Sequence, residues 1–119
     1  MKTLLTAALL AVIALPASAI DFTRIKSERA FRDFVVDRTL IDEFGGQMVL
    51  GGNGSLSGQI DSNRLRGGWA WKNGQLCRRL VIGPVDQGTE CQTVFVRANQ
   101  LVIERPRYGQ SLSYTIQRR

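Results

Sequence analysis

GWAWKNGQLCRRLVI, residues 68–82, contains two runs of strand-forming residues on either side of an Asn-Gly pair. Asn-Gly is the strongest two-residue hairpin signal, because both residues tolerate positive φ. A two-residue loop at this pair places Trp71 opposite Leu76 and Trp69 opposite Arg78. Since side chains alternate along a strand, these four residues share one face. The stretch therefore predicts an antiparallel hairpin with one mainly apolar face.

Further strands are predicted on both sides of this hairpin. Together with the two strands of the hairpin, seven strands are predicted. They cover residues 47–50, 55–60, 64–72, 75–82, 90–97, 100–105 and 111–117. The last of them alternates strictly between polar and apolar residues, which is typical of a half-buried strand. A loop is predicted at Gly83–Gly88. Short connections between so many strands favour a mainly β fold, an antiparallel meander or small barrel.

The segment Ser27–Arg38 is the helical candidate, and Ser27 can cap its N-terminus. Apolar residues spaced for one face of a helix form a stripe within it, namely Ala30, Phe31, Phe34 and Val35. The outer face of the predicted hairpin at 90–105 leaves Phe95 and Val102 without a cover. We therefore expect one N-terminal amphipathic helix, packed with its aromatic stripe on that outer patch.

The chain has two cysteines, Cys77 and Cys91. The predicted register puts both on the face opposite Trp69, as a bond between neighbouring strands requires. In an oxidising compartment an even pair of this kind predicts a disulfide, and the 14-residue separation differs from the C-x-x-C spacing of redox motifs. Closing a loop of this length with a disulfide stabilises the fold by about 3 kcal/mol in the chain-entropy model.

The first 19 residues have the features of a secretory signal peptide. Lys2 is followed by an apolar run, Leu4–Leu15, and then by the small-residue motif Ala17-Ser18-Ala19. Cleavage between Ala19 and Ile20 leaves a single domain at 20–119. The apolar run has 12 positions, short of the roughly 20 that span a membrane. We therefore expect a periplasmic or secreted protein whose mature chain has no transmembrane segment.

The charge is distributed unevenly along the chain. Residues 20–61 carry five basic and seven acidic side chains, whereas residues 62–119 carry ten basic and three acidic ones. A candidate basic face consists of the outward-facing arginines Arg64, Arg66, Arg79 and Arg97. Such a face suits an anionic partner, or it is simply a solvated surface. Export argues against nucleic acid, so we expect no nucleic-acid partner.

The residues of the chain favour no catalytic chemistry. There is no histidine, which excludes a Ser-His-Asp arrangement and an imidazole metal site. Both cysteines are assigned to the disulfide, and the carboxylates are scattered. We therefore predict no catalytic residue, no metal site and no cofactor.

The clearest candidate site consists of Trp69, Trp71 and Arg78 on one face of the hairpin. An arginine on an otherwise apolar face needs a reason, because charges are rarely buried unpaired. Two indoles and a guanidinium suit a sugar, an aromatic or an anionic small molecule. Alternatively the tryptophans belong to the core, and Arg78 reaches the rim or stacks on Trp69. Both interpretations remain open at this point.

The motif Gly68–Cys77, followed by Cys91 and a closing hairpin, resembles a family of short secreted proteins from Gram-negative bacteria. The likeness covers about Asp21 to Ile116. The resemblance implies the fold and the disulfide. The family is largely uncharacterised, and some members carry the name dihydrodipicolinate reductase.

The function we expect is that of a non-catalytic binding or interaction module of the cell envelope. Its partner would be an anionic envelope component or a periplasmic protein. One alternative is the reductase activity that the resemblance implies. Another is an inhibitor of an envelope enzyme, which would need an exposed loop such as Gly83–Gly88.

Overall fold

The computed structural model describes residues 21–117, so the predicted signal peptide and its cleavage site lie outside the described residues. One short helix and nine strands follow each other along the chain. Their bounds are β1 Thr23–Arg24, α1 Glu28–Phe34, β2 Thr39–Asp42, β3 Gln47–Leu50, β4 Ser55–Ile60, β5 Asn63–Lys72, β6 Gln75–Ile82, β7 Val85–Arg97, β8 Gln100–Arg105 and β9 Gln110–Ile116. No helix within residues 21–117 is long and apolar enough to span a membrane.

Strands β2 to β9 form a closed antiparallel barrel. Each pairs with the next along the chain, and pairing of β2 with β9 closes the ring. The predicted barrel is thus confirmed, with nine strands where the sequence indicated about seven. The two that sequence patterns missed are β1 and β2. They have two and four residues, too few to show a period.

The register around the central hairpin is the one that the Asn-Gly pair predicts. Asn73 and Gly74 both have positive φ, and Trp69 pairs with Arg78. Along the barrel, one face of each strand points inward and forms the apolar core. Its fully buried members include Leu40, Leu50, Leu65, Leu76, Val94, Leu101 and Ile103.

The prediction of a loop at Gly83–Gly88 is wrong. Strands β6 and β7 are joined by a tight turn, and β7 begins at Val85. Between Arg79 and Val81 the register shifts, so that β7 has one residue more than β6 over this interval. Gly88, at φ +76°, takes up this irregularity at a conformation that suits glycine. The glycines and the proline here mark a turn and a bulge rather than a loop.

Strand β7 is long enough to have two successive neighbours on the same side. Its first part pairs with β6, and its last part pairs with β1 through Thr23 and Arg24. Arg24 lies opposite Phe95, on the outer patch that the sequence left uncovered. Strand β1 therefore lies beside the outer patch, where we expected the helix to pack.

The helix is shorter than predicted and packs elsewhere. Ser27 caps it as expected, its Oγ accepting a hydrogen bond from the amide of Ala30 at 3.2 Å. The placement on the outer patch is wrong, because Phe31 points into the barrel interior and contacts both tryptophans. Phe31 is fully buried in this position, which removes more apolar surface from water than a partly exposed outer patch would.

The helix closes one end of the barrel. At this end of the barrel, called the helix end, Arg32 donates a hydrogen bond to the carbonyl of Gly52 in the β3–β4 turn at 3.0 Å. The β5–β6 and β7–β8 turns lie at the same end, since the strands alternate in direction. The other four turns, β2–β3, β4–β5, β6–β7 and β8–β9, surround the opposite end, called the open end below.

Cys77 and Cys91 are direct partners on β6 and β7 and form the predicted disulfide. Replacing both with serine is expected to lower the free energy of unfolding by about 3 kcal/mol, because the bond restricts the unfolded chain. The barrel should persist, since β6 and β7 pair on both sides of the bond. Urea unfolding of C77S/C91S measures the loss, and reduced wild-type protein serves as the control. An unchanged unfolding midpoint in both samples would contradict the prediction.

Candidate functional site

Arg78 lies inside the barrel, where its strand places it between apolar residues. Its inward neighbours on β6 are Leu76 and Leu80, and Trp69 is its partner on β5. The side chain is only 4% exposed. Full burial of a guanidinium is costly unless its charge and its donors are matched.

The hydrogen bonds of Arg78 match part of its donor capacity. Nε donates to Oε1 of Gln92 at 2.8 Å, and Nη1 contacts the sulfur of Met48 at 3.1 Å. Both partners are neutral. Among the ion pairs of residues 21–117, none includes Arg78. The interior of the barrel therefore holds a cation without a directly paired carboxylate.

The remaining nitrogen, Nη2, makes none of these hydrogen bonds. Within the described part of the chain, no buried side-chain nitrogen or oxygen lacks a hydrogen-bond partner. Nη2 must therefore reach accessible space. Arg78 borders a cavity of about 130 Å³ at the open end, so a molecule that enters there comes within reach of the guanidinium.

The cavity has an aliphatic wall and a polar floor. Leu80, Ile82 and Leu112 form the wall. Arg78 and Gln92 form the floor, and Glu90 and Arg105 lie at the edge. A second, smaller void of about 20 Å³ lies on another side of Arg78 and Leu80. The site thus combines a few convergent polar groups with apolar surface, the usual make-up of a small-molecule pocket.

Glu90 and Arg105 form a bidentate pair at the edge of the cavity. The two oxygens of Glu90 accept from Nε and Nη2 of Arg105 at 2.9 and 2.8 Å, and Gln92 donates to Glu90 at 3.2 Å. The hydrogen bond from Arg105 holds the pKa of Glu90 below its ordinary value. Glu90 is therefore ionised at neutral pH with its charge matched by Arg105, and Arg78 supplies the excess positive charge of the site.

The two tryptophans lie toward the other end of the barrel. Phe31 stacks on Trp71 at a centroid distance of 4.9 Å and meets Trp69 edge-on at 5.3 Å. Trp69 Nε1 donates to the carbonyl of Gly51 at 2.9 Å, and the guanidinium of Arg32 lies 5.1 Å from its ring. Both indoles thus have protein partners. Of the three predicted site residues, Arg78 borders the cavity and neither tryptophan does.

The arginines of the predicted basic face occupy two separate places. Arg64, Arg66 and Arg79 are exposed on the adjoining strands β5 and β6, and Arg79 is paired with Asp86. Arg97 is on β7, far from this group. It lies eight residues beyond Thr89, which is the cross-strand partner of Arg79. There it stacks on Phe22 at 4.4 Å. Three of the four arginines therefore form one patch, and the fourth belongs to the surface beside β1.

Sequence reasoning singled out Arg78 but missed its neighbours in the site. Glu90 and Gln92 are in phase with the inward-facing Val94 and Val96, and Arg105 is in phase with Leu101 and Ile103. The same alternation, extended toward the open end, indicates that these three side chains point into the barrel. Polar residues at the end of a strand usually face water, so their residue types alone did not indicate a site.

Comparison with known proteins yields no match: no family model, no curated protein and no solved structure is similar enough to this chain to be counted. What the site does must therefore be inferred from its geometry and charge.

Proposed function

We propose that this protein is an exported, non-catalytic binding protein of the cell envelope, whose ligand enters the open end of the barrel. The observation that carries the proposal is the buried Arg78 beside an accessible cavity, with no ion pair of its own because its cross-strand neighbour Glu90 is bound to Arg105. A carboxylate or similar anion would supply the charge that Arg78 lacks. Charge-assisted hydrogen bonds of this kind are roughly twice as strong as neutral ones.

The cell-envelope location is supported by the signal-peptide features of the sequence and by the disulfide, since such bonds persist in oxidising compartments. An anionic envelope component, one of the partners expected from the sequence, has the charge that the site requires.

The rival functions have less support. The cavity beside Arg78, at about 130 Å³, is too small to enclose a dinucleotide and gives no support to the reductase activity that the resemblance implies. The inhibitor hypothesis relied on an exposed loop at Gly83–Gly88, and strand β7 occupies most of that segment.

The proposal predicts that a small carboxylate binds and that Arg78 is required. Butyrate should shift the NMR signals of cavity residues, whereas butyramide, its neutral analogue, should bind at least about tenfold more weakly. The variant Arg78→Met should lose about tenfold or more in butyrate affinity while remaining folded, because a buried cation is replaced by an apolar side chain of similar length.

The matched control is Arg64→Met, which removes an exposed arginine from the outer face. It should bind butyrate as the wild type does. Equal butyrate affinity in Arg78→Met and wild type, or no carboxylate binding to the wild type at all, would show that the proposal is wrong. Near-UV circular dichroism establishes that each variant keeps the native packing.

A further inference from the structure

We infer that the ligand is a fatty carboxylate that enters the barrel head first and lays its alkyl chain across the apolar rim of the open end. This inference rests on the proposed function and adds the chemical class of the ligand. The cavity is small. Its volume of about 130 Å³ is below the roughly 300–1,000 Å³ of pockets that enclose most of a drug-sized ligand. It can hold an anionic head and a few carbons, so the rest of a longer ligand must lie outside.

Large apolar side chains are exposed around the open end of the barrel. Within residues 21–117, four large hydrophobic residues are exposed. Phe44, Val85 and Tyr108, at 91%, 53% and 59% exposure, lie in or beside turns of the open end. The fourth, Phe34, is on the helix at the opposite end. Apolar side chains gathered around a pocket entrance are typical of a binding surface.

Two of these rim residues, Val85 and Tyr108, adjoin residues that line the cavity. Val85 pairs with Ile82, which lines the cavity. Tyr108 lies under the guanidinium of Arg105, a cavity residue, at 4.3 Å. A chain leaving the cavity therefore meets apolar surface in more than one direction.

The order of polar and apolar groups sets the orientation of the ligand. On β6, Arg78 lies deeper in the barrel than Leu80 and Ile82, which are nearer the β6–β7 turn at the open end. A carboxylate at Arg78 therefore leaves its tail among Leu80, Ile82 and Leu112. An alkyl chain has no polar groups to satisfy there, whereas each peptide amide placed against this wall without a hydrogen bond would cost free energy. This favours a fatty carboxylate over the C-terminus of a peptide.

The experiment compares butyrate with octanoate, below its micelle concentration, by NMR titration of the wild-type protein. Octanoate should bind at least about tenfold more tightly, because four further methylenes gain contact with apolar surface. In the double variant Val85→Ser/Tyr108→Ser, the ratio of the two affinities should fall toward one. Phe34→Ser, which removes an exposed aromatic at the helix end, is the matched control and should keep the wild-type ratio.

The outcomes separate the two proposals. Equal affinities for butyrate and octanoate in the wild type would overturn the fatty-carboxylate inference and leave the proposed function standing. Binding of neither would refute both. A short peptide with an apolar C-terminal residue that binds more tightly than octanoate, and loses its affinity when the C-terminus is amidated, would replace the fatty carboxylate with a peptide ligand.

Discussion

Replacing Phe31 with alanine is expected to lower the free energy of unfolding by about 3–5 kcal/mol. Phe31 is completely buried and contacts the rings of Trp69 and Trp71 at the helix end of the barrel. Removing the ring leaves a cavity beside both indoles and weakens the attachment of the helix. Urea unfolding, followed by tryptophan fluorescence, measures the loss, and the native emission should shift to longer wavelength as the indoles become more accessible.

The same helix offers a matched control. Phe34 is 45% exposed and lies one turn farther along, so Phe34→Ala removes the same ring from a surface position. Its cost should be under about 1 kcal/mol, since surface substitutions away from special features have small effects. Similar losses in the two variants would mean that Phe31 does not hold the helix in the barrel.

Replacing Gly67 with alanine is expected to destabilise the barrel by at least about 3 kcal/mol, through backbone strain and overpacking together. Gly67 has φ +154°, and strand β6 passes so close that a Cβ would overlap the carbonyl oxygen of Arg79. That obstacle is backbone, which cannot move aside as a flexible side chain can. Glycines at such positions allow the strand bending that closes a barrel.

Gly68 provides the comparison one residue away. A Cβ there would lie 3.3 Å from the carbonyl oxygen of Gly54, a contact that a small shift relieves. Gly68→Ala should therefore cost much less than Gly67→Ala when both are unfolded in urea under the same conditions. If the two variants were equally stable, close approach of β5 and β6 at Gly67 would not be a requirement of the fold.

Local patterns predicted the strands and their register because they depend on neighbouring residues. The Asn73-Gly74 turn determines how β5 pairs with β6, and the two-residue period determines which side chains face inward. The positions of Arg78 and of both cysteines followed from that register. The short strands β1 and β2 escaped detection because their two and four residues carry too little pattern.

Of the candidate site, the sequence predicted one residue, Arg78, but not the shape of the cavity beside it. Arg78 was conspicuous as a cation in an apolar row, and its burial is a consequence of the register. The sequence pattern grouped it with two tryptophans, since all three share a face. In the barrel that face is divided between two ends, with the indoles packed against Phe31 and Arg78 beside the cavity.

The amino-acid sequence alone was sufficient for the β class, the hairpin register, the inward face of the central hairpin and the cysteine pairing, because each of these depends on contacts between adjacent strands or on the alternation within one strand. The destination of the helix and the open cavity depended on the closed barrel. Closure brings β2 against β9 and creates two ends, and the amphipathic helix then packs at the end where the buried aromatic surface is larger. Arg78 is left facing the other end, a consequence of three-dimensional packing that no local pattern contains.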